Sequence, residues 1–246
     1  MSENQTIYPC IRLPYGALGD RVITCGDPAR AEKIGNMLEN CKCLNRNREF
    51  HSYTGLWKGV PVSVVSHGVG AGGAAIAFES MMQMGVKAVI RVGTCGGMQD
   101  SVTPGTPVIG TGACRDDGVT ERMLPLGYPA LCDSDVIYAL TKSAKEKGVH
   151  TAKGVILTAS NFYPTLMGTN VKIYAKAGVV ALENEVAPLL VLGGIYGAKV
   201  GCILTTDAKA FELTGPGDYA PDPEMLRQAL ERSIAVALDA IVDLPL

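Results

Sequence analysis

No apolar run in this chain approaches the ~18 uninterrupted residues that a membrane span requires. Charge, proline or glycine breaks every one of them, although 47% of the 246 residues are hydrophobic. A soluble, cytoplasmic protein is therefore expected, with no membrane partner. The opening Met-Ser-Glu-Asn-Gln-Thr has no basic segment leading into an apolar one, so neither a signal peptide nor a transit peptide is expected. A basic excess is missing too. Lys and Arg number 22 against 24 Asp and Glu, a net charge of −2, and this leaves no electrostatic footprint for nucleic acid. Cys-x-x-Cys does not occur, Cys41 and Cys43 are one residue apart, and the three histidines lie far from one another, so no zinc site is expected. The eight cysteines are scattered through apolar runs, as around Cys25, Cys95 and Cys202, which suits reduced thiols. No repeat of solenoid spacing is visible. The length fits one large α/β domain whose core needs no staples.

The most informative stretch is Ala88 to Gly97. A β-branched apolar run carrying one arginine breaks into a glycine-rich loop, which reads as a buried strand delivering Arg91 and Thr94 to its carboxyl edge, where α/β sheets place ligands. A buried guanidinium needs an anion: a phosphate or carboxylate ligand, or a buried Asp or Glu of the chain itself. A second anion site is suggested upstream. The strand Arg21 to Cys25 leads to Gly26, then Asp27 as N-cap and Pro28 as first helical residue, which sets Gly26 and Arg30 around a helix N-terminus. Asn45 to Tyr53 is polar and reads by default as solvated surface before a hairpin at Lys58-Gly59.

Val62 to Ser66 is a further strand, followed by Gly68-Val69-Gly70-Ala71-Gly72-Gly73 and a helix from Ala74 to Met84. The run matches G-x-G-x-x-G, but no acidic residue for a ribose follows about 20 residues on, and it does not sit in the first βα unit. A dinucleotide cofactor is not expected. Helices are expected at Ser134 to Gly148 and Asp222 to Val242, and strands at Gly154 to Thr158, Val179 to Leu182 and Lys199 to Thr206. Phe162 and Tyr163 follow one strand as a possible pocket wall. Glu183-Asn184-Glu185 ends the next, and only one of its two carboxylates need enter a site. Asp207 ends the last strand as a candidate acid.

Gly26-Asp27-Pro28-Ala29-Arg30, Ser66-His67-Gly68-Val69-Gly70, Arg91-Val92-Gly93-Thr94-Cys95-Gly96, Glu183-Asn184-Glu185 and Asp207 together resemble the nucleoside phosphorylase-I family, in particular its hexameric purine-specific members. The resemblance covers nearly the whole chain. It implies a single domain over residues 1–246, a three-layer α/β/α sandwich with a mixed, partly barrel-like central sheet. It also implies a homo-hexamer built as a trimer of dimers, with sites shared between neighbouring subunits. The implied reaction is reversible cleavage of a purine ribonucleoside by inorganic phosphate, a co-substrate, with no cofactor and no metal.

By the same resemblance Gly26, Arg30, Arg91 and Thr94 would hold phosphate, with Arg48 reaching in from a neighbouring subunit. Glu185, within Glu183-Asn184-Glu185, would hold the ribose hydroxyls. Phe162 would stack on the base near Val69, Cys95 and Gly96, and Asp207 would address purine N7. The chain departs from the family pattern at three places. Tyr8-Pro9-Cys10-Ile11 lacks the N-terminal histidine that meets a neighbour's ribose, Asn184 stands where relatives have methionine, and Asp207 is followed by Lys209 rather than an arginine. Pro164-Thr165-Leu166-Met167 lacks the Gln and Arg with which uridine phosphorylases read uracil. The alternatives are a uridine phosphorylase, a phosphate-independent nucleosidase and a catalytically idle nucleoside-binding protein. The loop Phe211 to Tyr219, with Gly215-Pro216-Gly217, reads as a mobile lid.

Overall fold

The computed structural model describes residues 7–163, 166, 170–210 and 219–246. In chain order the elements are β1 (Arg21–Cys25), α1 (Pro28–Gly35), β2 (Glu39–Asn47), β3 (Phe50–Trp57), β4 (Val60–Ser66), α2 (Ala71–Gln83), β5 (Ala88–Gly97) and β6 (Pro107–Asp116). There follow β7 (Ala130–Leu131), α3 (Ser134–Glu146), β8 (Ala152–Ala159), α4 (Val171–Lys176), β9 (Ala181–Glu183), α5 (Val186–Tyr196), β10 (Lys199–Lys209) and α6 (Pro223–Asp243).

The strands form one ten-stranded mixed sheet in the order β10-β6-β8-β9-β5-β1-β4-β3-β2, with β7 beside β6. Because β10 also pairs with β5, the strands β5, β10, β6, β8 and β9 close on one another. The result is the sandwich with a partly closed barrel that the resemblance implies. Closure removes the sheet edges on that side.

Alternation along the central strands divides the core between two helical layers. Val22, Val89, Val200 and Leu204 pack with Phe78 and Met81 of α2 and Leu189 of α5. Ile23, Ile90 and Ile203 face the other way, against Ile34 of α1, Leu140 of α3 and Ile241 of α6. Helix α5 is apolar around its whole circumference, as a helix enclosed on all sides must be, and its residues Val186 to Gly193 are buried. The cap expected at α1 is present, with Asp27 accepting from the Ala29 amide at 2.8 Å and Pro28 opening the helix. The Lys58-Gly59 hairpin turn also forms, with φ of 51° and 77°.

Two local expectations are corrected. Asn45 to Tyr53 is not simply solvated surface: Phe50, Ser52 and Tyr53 of β3 are buried, because β3 lies inside the sheet between β2 and β4. Helix α2 starts at Ala71 rather than Ala74, since Gly70, with φ of 93°, serves as its N-cap. All eight cysteines are free thiols. Among the described residues no helix is long and apolar enough to cross a membrane. Pro164, Thr165 and Met167, and the supposed lid apart from Tyr219, lie outside the described residues.

Candidate active site

The parallel strands β1, β4, β5 and β10 run in one direction, and their carboxyl ends, with those of β8 and β9, surround a cavity of about 560 Å³. After β1 the chain supplies Gly26 and, from the first turn of α1, Arg30. After β4 it supplies Gly68 and Val69. The end of β5 contributes Arg91, Thr94, Cys95 and Gly96, and the segments after β8 and β9 bring Phe162 and Glu183-Asn184-Glu185. Asp207 enters from β10. Thus every residue given a phosphate, nucleoside or catalytic role in the sequence lines the cavity except Arg48, and Tyr163, named with Phe162 as a wall, does not line it.

Arg91 is the hub. It shares the face of Val89, towards α2 and α5, and only 3% of its surface is exposed. Its Nη2 bonds Glu183 Oε2 at 3.3 Å and also the carboxylate of Glu185, while Nη1 lies 3.2 Å from His67 Nε2. Burial alone would lower the Arg91 pKa, but the facing Glu185 and Glu183 carboxylates outweigh it and raise it. Of the two anion readings of Arg91, the pairing to buried carboxylates of the chain itself is present, and Arg91 also lines the cavity. His67 is held neutral, because burial and the adjacent Arg91 push its pKa far down. To accept from Arg91 at Nε2 it must carry its proton on Nδ1, an atom buried without a partner among the described residues.

The expectation that only one of the two glutamates enters the site is overturned. Residues two apart on a strand share a face, and although β9 stops at Glu183 and Glu185 leaves extended geometry (φ −142°, ψ −5°) to cap α5, both carboxylates reach Arg91. They differ in spare capacity. Glu183 accepts from Thr158 Oγ1 at 2.7 Å, from the amides of Glu185 at 2.7 Å and Val186 at 2.9 Å, and from Arg91. Glu185 accepts from the Gly70 amide at 2.7 Å and from Arg91, which leaves lone pairs open to the cavity. The Gly70 amide reaches it because Gly68 and Gly70 turn the loop at positive φ, 75° and 93°.

Asn184 donates to the Ala159 carbonyl at the end of β8, which ties the glutamate loop to the strand that carries Phe162. Phe162 and Val69 present exposed apolar surface to the cavity, 45% and 89% respectively, suited to the faces of a flat ring. Arg30 makes no ion pair among the described residues, its nearest acceptor being the Val92 carbonyl at 3.5 Å. The Arg30 charge thus stands at the cavity wall, close enough to act on Tyr219, with no ion-pair partner among the described residues. Burial pushes the Asp207 carboxyl above its ordinary range, against hydrogen bonds from Tyr219 and Thr94 that favour the charged form.

Arg48 is exposed at the β2–β3 turn, at φ 52°, and does not line this chain's own cavity. Lys209 points elsewhere, to the carbonyls of Asp100 at 3.3 Å and Gln99 at 3.4 Å. The Tyr8 to Ile11 segment is pinned on β2 by Asn45 and Asn47, whose side-chain amides donate to Ile11 and Cys10 carbonyls. Two lining residues escaped the sequence reading. Glu49 sat in a stretch read as solvated, and only its packing under Gly68, whose Cβ position lies 2.7 Å from Glu49 Cγ, places it here. Tyr219 was seen only as the end of a loop.

Residues 20–243 match a family model described as the Phosphorylase superfamily. The chain belongs to this superfamily, and it is a pentosyltransferase of the nucleoside phosphorylase kind, with nucleoside and phosphate as its substrates. It is 35% identical over 225 residues, 91% of each chain, to purine nucleoside phosphorylase of Plasmodium falciparum. It is 37% identical over 204 residues, 79% of each chain, to uridine phosphorylase of Treponema pallidum. The crystal structure of purine nucleoside phosphorylase from Toxoplasma gondii in complex with immucillin-H superposes with a TM-score of 0.92 at 30% identity, covering 98% of this chain and 97% of that one.

Proposed function

We propose that the protein is a purine nucleoside phosphorylase, converting inosine- or guanosine-type ribonucleosides and phosphate to free base and ribose 1-phosphate. The observation that carries the purine reading is Asp207: a buried carboxyl with a raised pKa, exposed to the cavity beside the aromatic wall. A purine departing through N9 spreads its electrons to N7, where a carboxylic acid can protonate it. A departing uracil accumulates charge on its carbonyl oxygens, which ask for amide or guanidinium donors. The cavity's arginines, Arg30 and Arg91, are both committed to its anion end.

In this reading phosphate sits between Gly26, Arg30, Thr94 and Arg91. Glu185 orients the ribose hydroxyls, with Asn184 beneath the sugar. Glu183, whose oxygens are already occupied, fixes Arg91 and the start of α5. Phe162 covers one face of the base near Val69, Cys95 and Gly96. As the C1′–N9 bond lengthens, the sugar becomes oxocarbenium-like and the phosphate dianion both stabilises and captures it, while Asp207 passes its proton to N7. Holding the nucleophile in line is chiefly positioning.

We also propose a homo-hexamer in which Arg48, outside its own cavity and with no ion pair among the described residues, serves a neighbour's phosphate, and that no cofactor or metal takes part. The test of the reaction is product analysis with purified protein and inosine. Hypoxanthine and ribose 1-phosphate should appear together and only with phosphate; free ribose without phosphate would mean a hydrolase instead.

A further inference from the structure

Tyr219 stands just before α6 and about one third of it is exposed. Its hydroxyl donates to Asp207 Oδ2 at 2.8 Å, and its ring meets that of Phe162 edge-on, with centroids 5.6 Å apart. A phenol with no structural duty has little reason to insert here. Its ring extends the apolar wall, and its polar end is spent on the one carboxyl that faces the base subsite. We propose that Tyr219 is a positioning residue for Asp207, fixing which oxygen carries the proton and taking up charge on the other as that proton leaves. This rests on the purine phosphorylase reading above.

With Oδ2 accepting from the phenol, the proton of neutral Asp207 resides on Oδ1. During reaction the C1′–N9 electron pair passes to the base, the Oδ1 proton passes to N7, and a phosphate oxygen bonds C1′. Negative charge then develops on Asp207, delocalised to Oδ2, where the Tyr219 hydrogen bond strengthens. Asp207 regains a proton from solvent, balanced by the proton that the new phosphate monoester releases. Two other ionisable groups stand near the pair. Cys95 of β5 is kept a neutral thiol by burial, and the Arg30 guanidinium of α1 acts on Tyr219 through its charge. Tyr219 itself is held protonated by burial and by Asp207.

The test is Tyr219→Phe, which keeps the ring and removes the hydroxyl, with kcat followed against pH at saturating inosine and phosphate. Losing a donor to the carboxylate makes Asp207 a weaker acid, so two changes of opposite sense are expected. The kcat on the acidic plateau, where Asp207 is fully protonated, falls about tenfold, while the alkaline limb moves upward by about one pH unit. The KM for inosine changes by less than about twofold, since the ring remains. A merely structural Tyr219 would not shift the limb upward. A plateau or a limb left in place overturns the proposal while leaving phosphorolysis by the wild type intact. Absence of phosphorolysis in the wild type would instead overturn the reading on which it rests.

Discussion

Asp207 and Arg91 solve opposite electrostatic problems within one cavity. Arg91 is buried as a cation and is kept so by the Glu185 and Glu183 carboxylates, whereas Asp207 makes no ion pair among the described residues and burial drives it towards the neutral acid. The sign of the pH dependence follows. Raised by burial, the Asp207 carboxyl retains its proton to higher pH than an ordinary aspartate, so under the proposed mechanism activity is expected to fall as pH rises through that pKa. Asp207→Asn removes the acid while preserving shape. It is expected to lower kcat for inosine by about 10²–10³-fold and to abolish the alkaline limb, with little change in KM. Steady-state kinetics across pH checks this, and a variant of near wild-type kcat would remove Asp207 from the chemistry.

At the scale of elements, the strand ends were legible because continuous β-branched runs such as Ala88 to Ile90, and cap signals such as Asp27-Pro28, are local. The fate of Glu185 was not. A strand's period fixes side-chain direction only while the strand continues, and β9 ends at Glu183, where the Glu185 and Val186 amides turn back onto its carboxylate, so the turn sets where Glu185 points. Closure of β5, β10, β6, β8 and β9 depends on long-range pairing that no short pattern encodes, and the position of Glu49 under Gly68 is equally non-local. Arg91 was ambiguous in sequence because the carboxylates that pair with it, Glu183 and Glu185, come from a strand end 92 and 94 residues away. Helix α5 holds Glu185 at its start and lies directly on β10, where a Cβ at Gly193 would fall 2.3 Å from Val200 Cγ2. Gly193→Ala is therefore expected to destabilise the fold by about 1–3 kcal/mol through overpacking. Thermal unfolding measures it, and an unchanged melting midpoint would mean that α5 is free to slide.

For the whole molecule, the features that one chain leaves incomplete are as informative as those it completes. Arg48 projects from the β2–β3 turn with no ion pair among the described residues, while this chain's own cavity has its anion end open. The proposed hexamer, with its shared site, would account for both. The particle in solution should have about six times the 25.8 kDa chain mass. Arg48→Ala and Asp207→Ala, each deficient alone, should recover part of the activity when their subunits are mixed and reassembled, because some sites then combine an intact Arg48 with an intact Asp207. Recovery absent from verified mixed particles would confine each site to one chain. The account as a whole rests on a carboxylic acid choosing the base, and its most direct measurement is the ratio of kcat/KM for inosine and uridine at saturating phosphate. A preference for inosine of at least about 10²-fold is expected, since uracil presents no N7 and the acid is left unpaired against it. Equal turnover of both, or a preference for uridine, would contradict it.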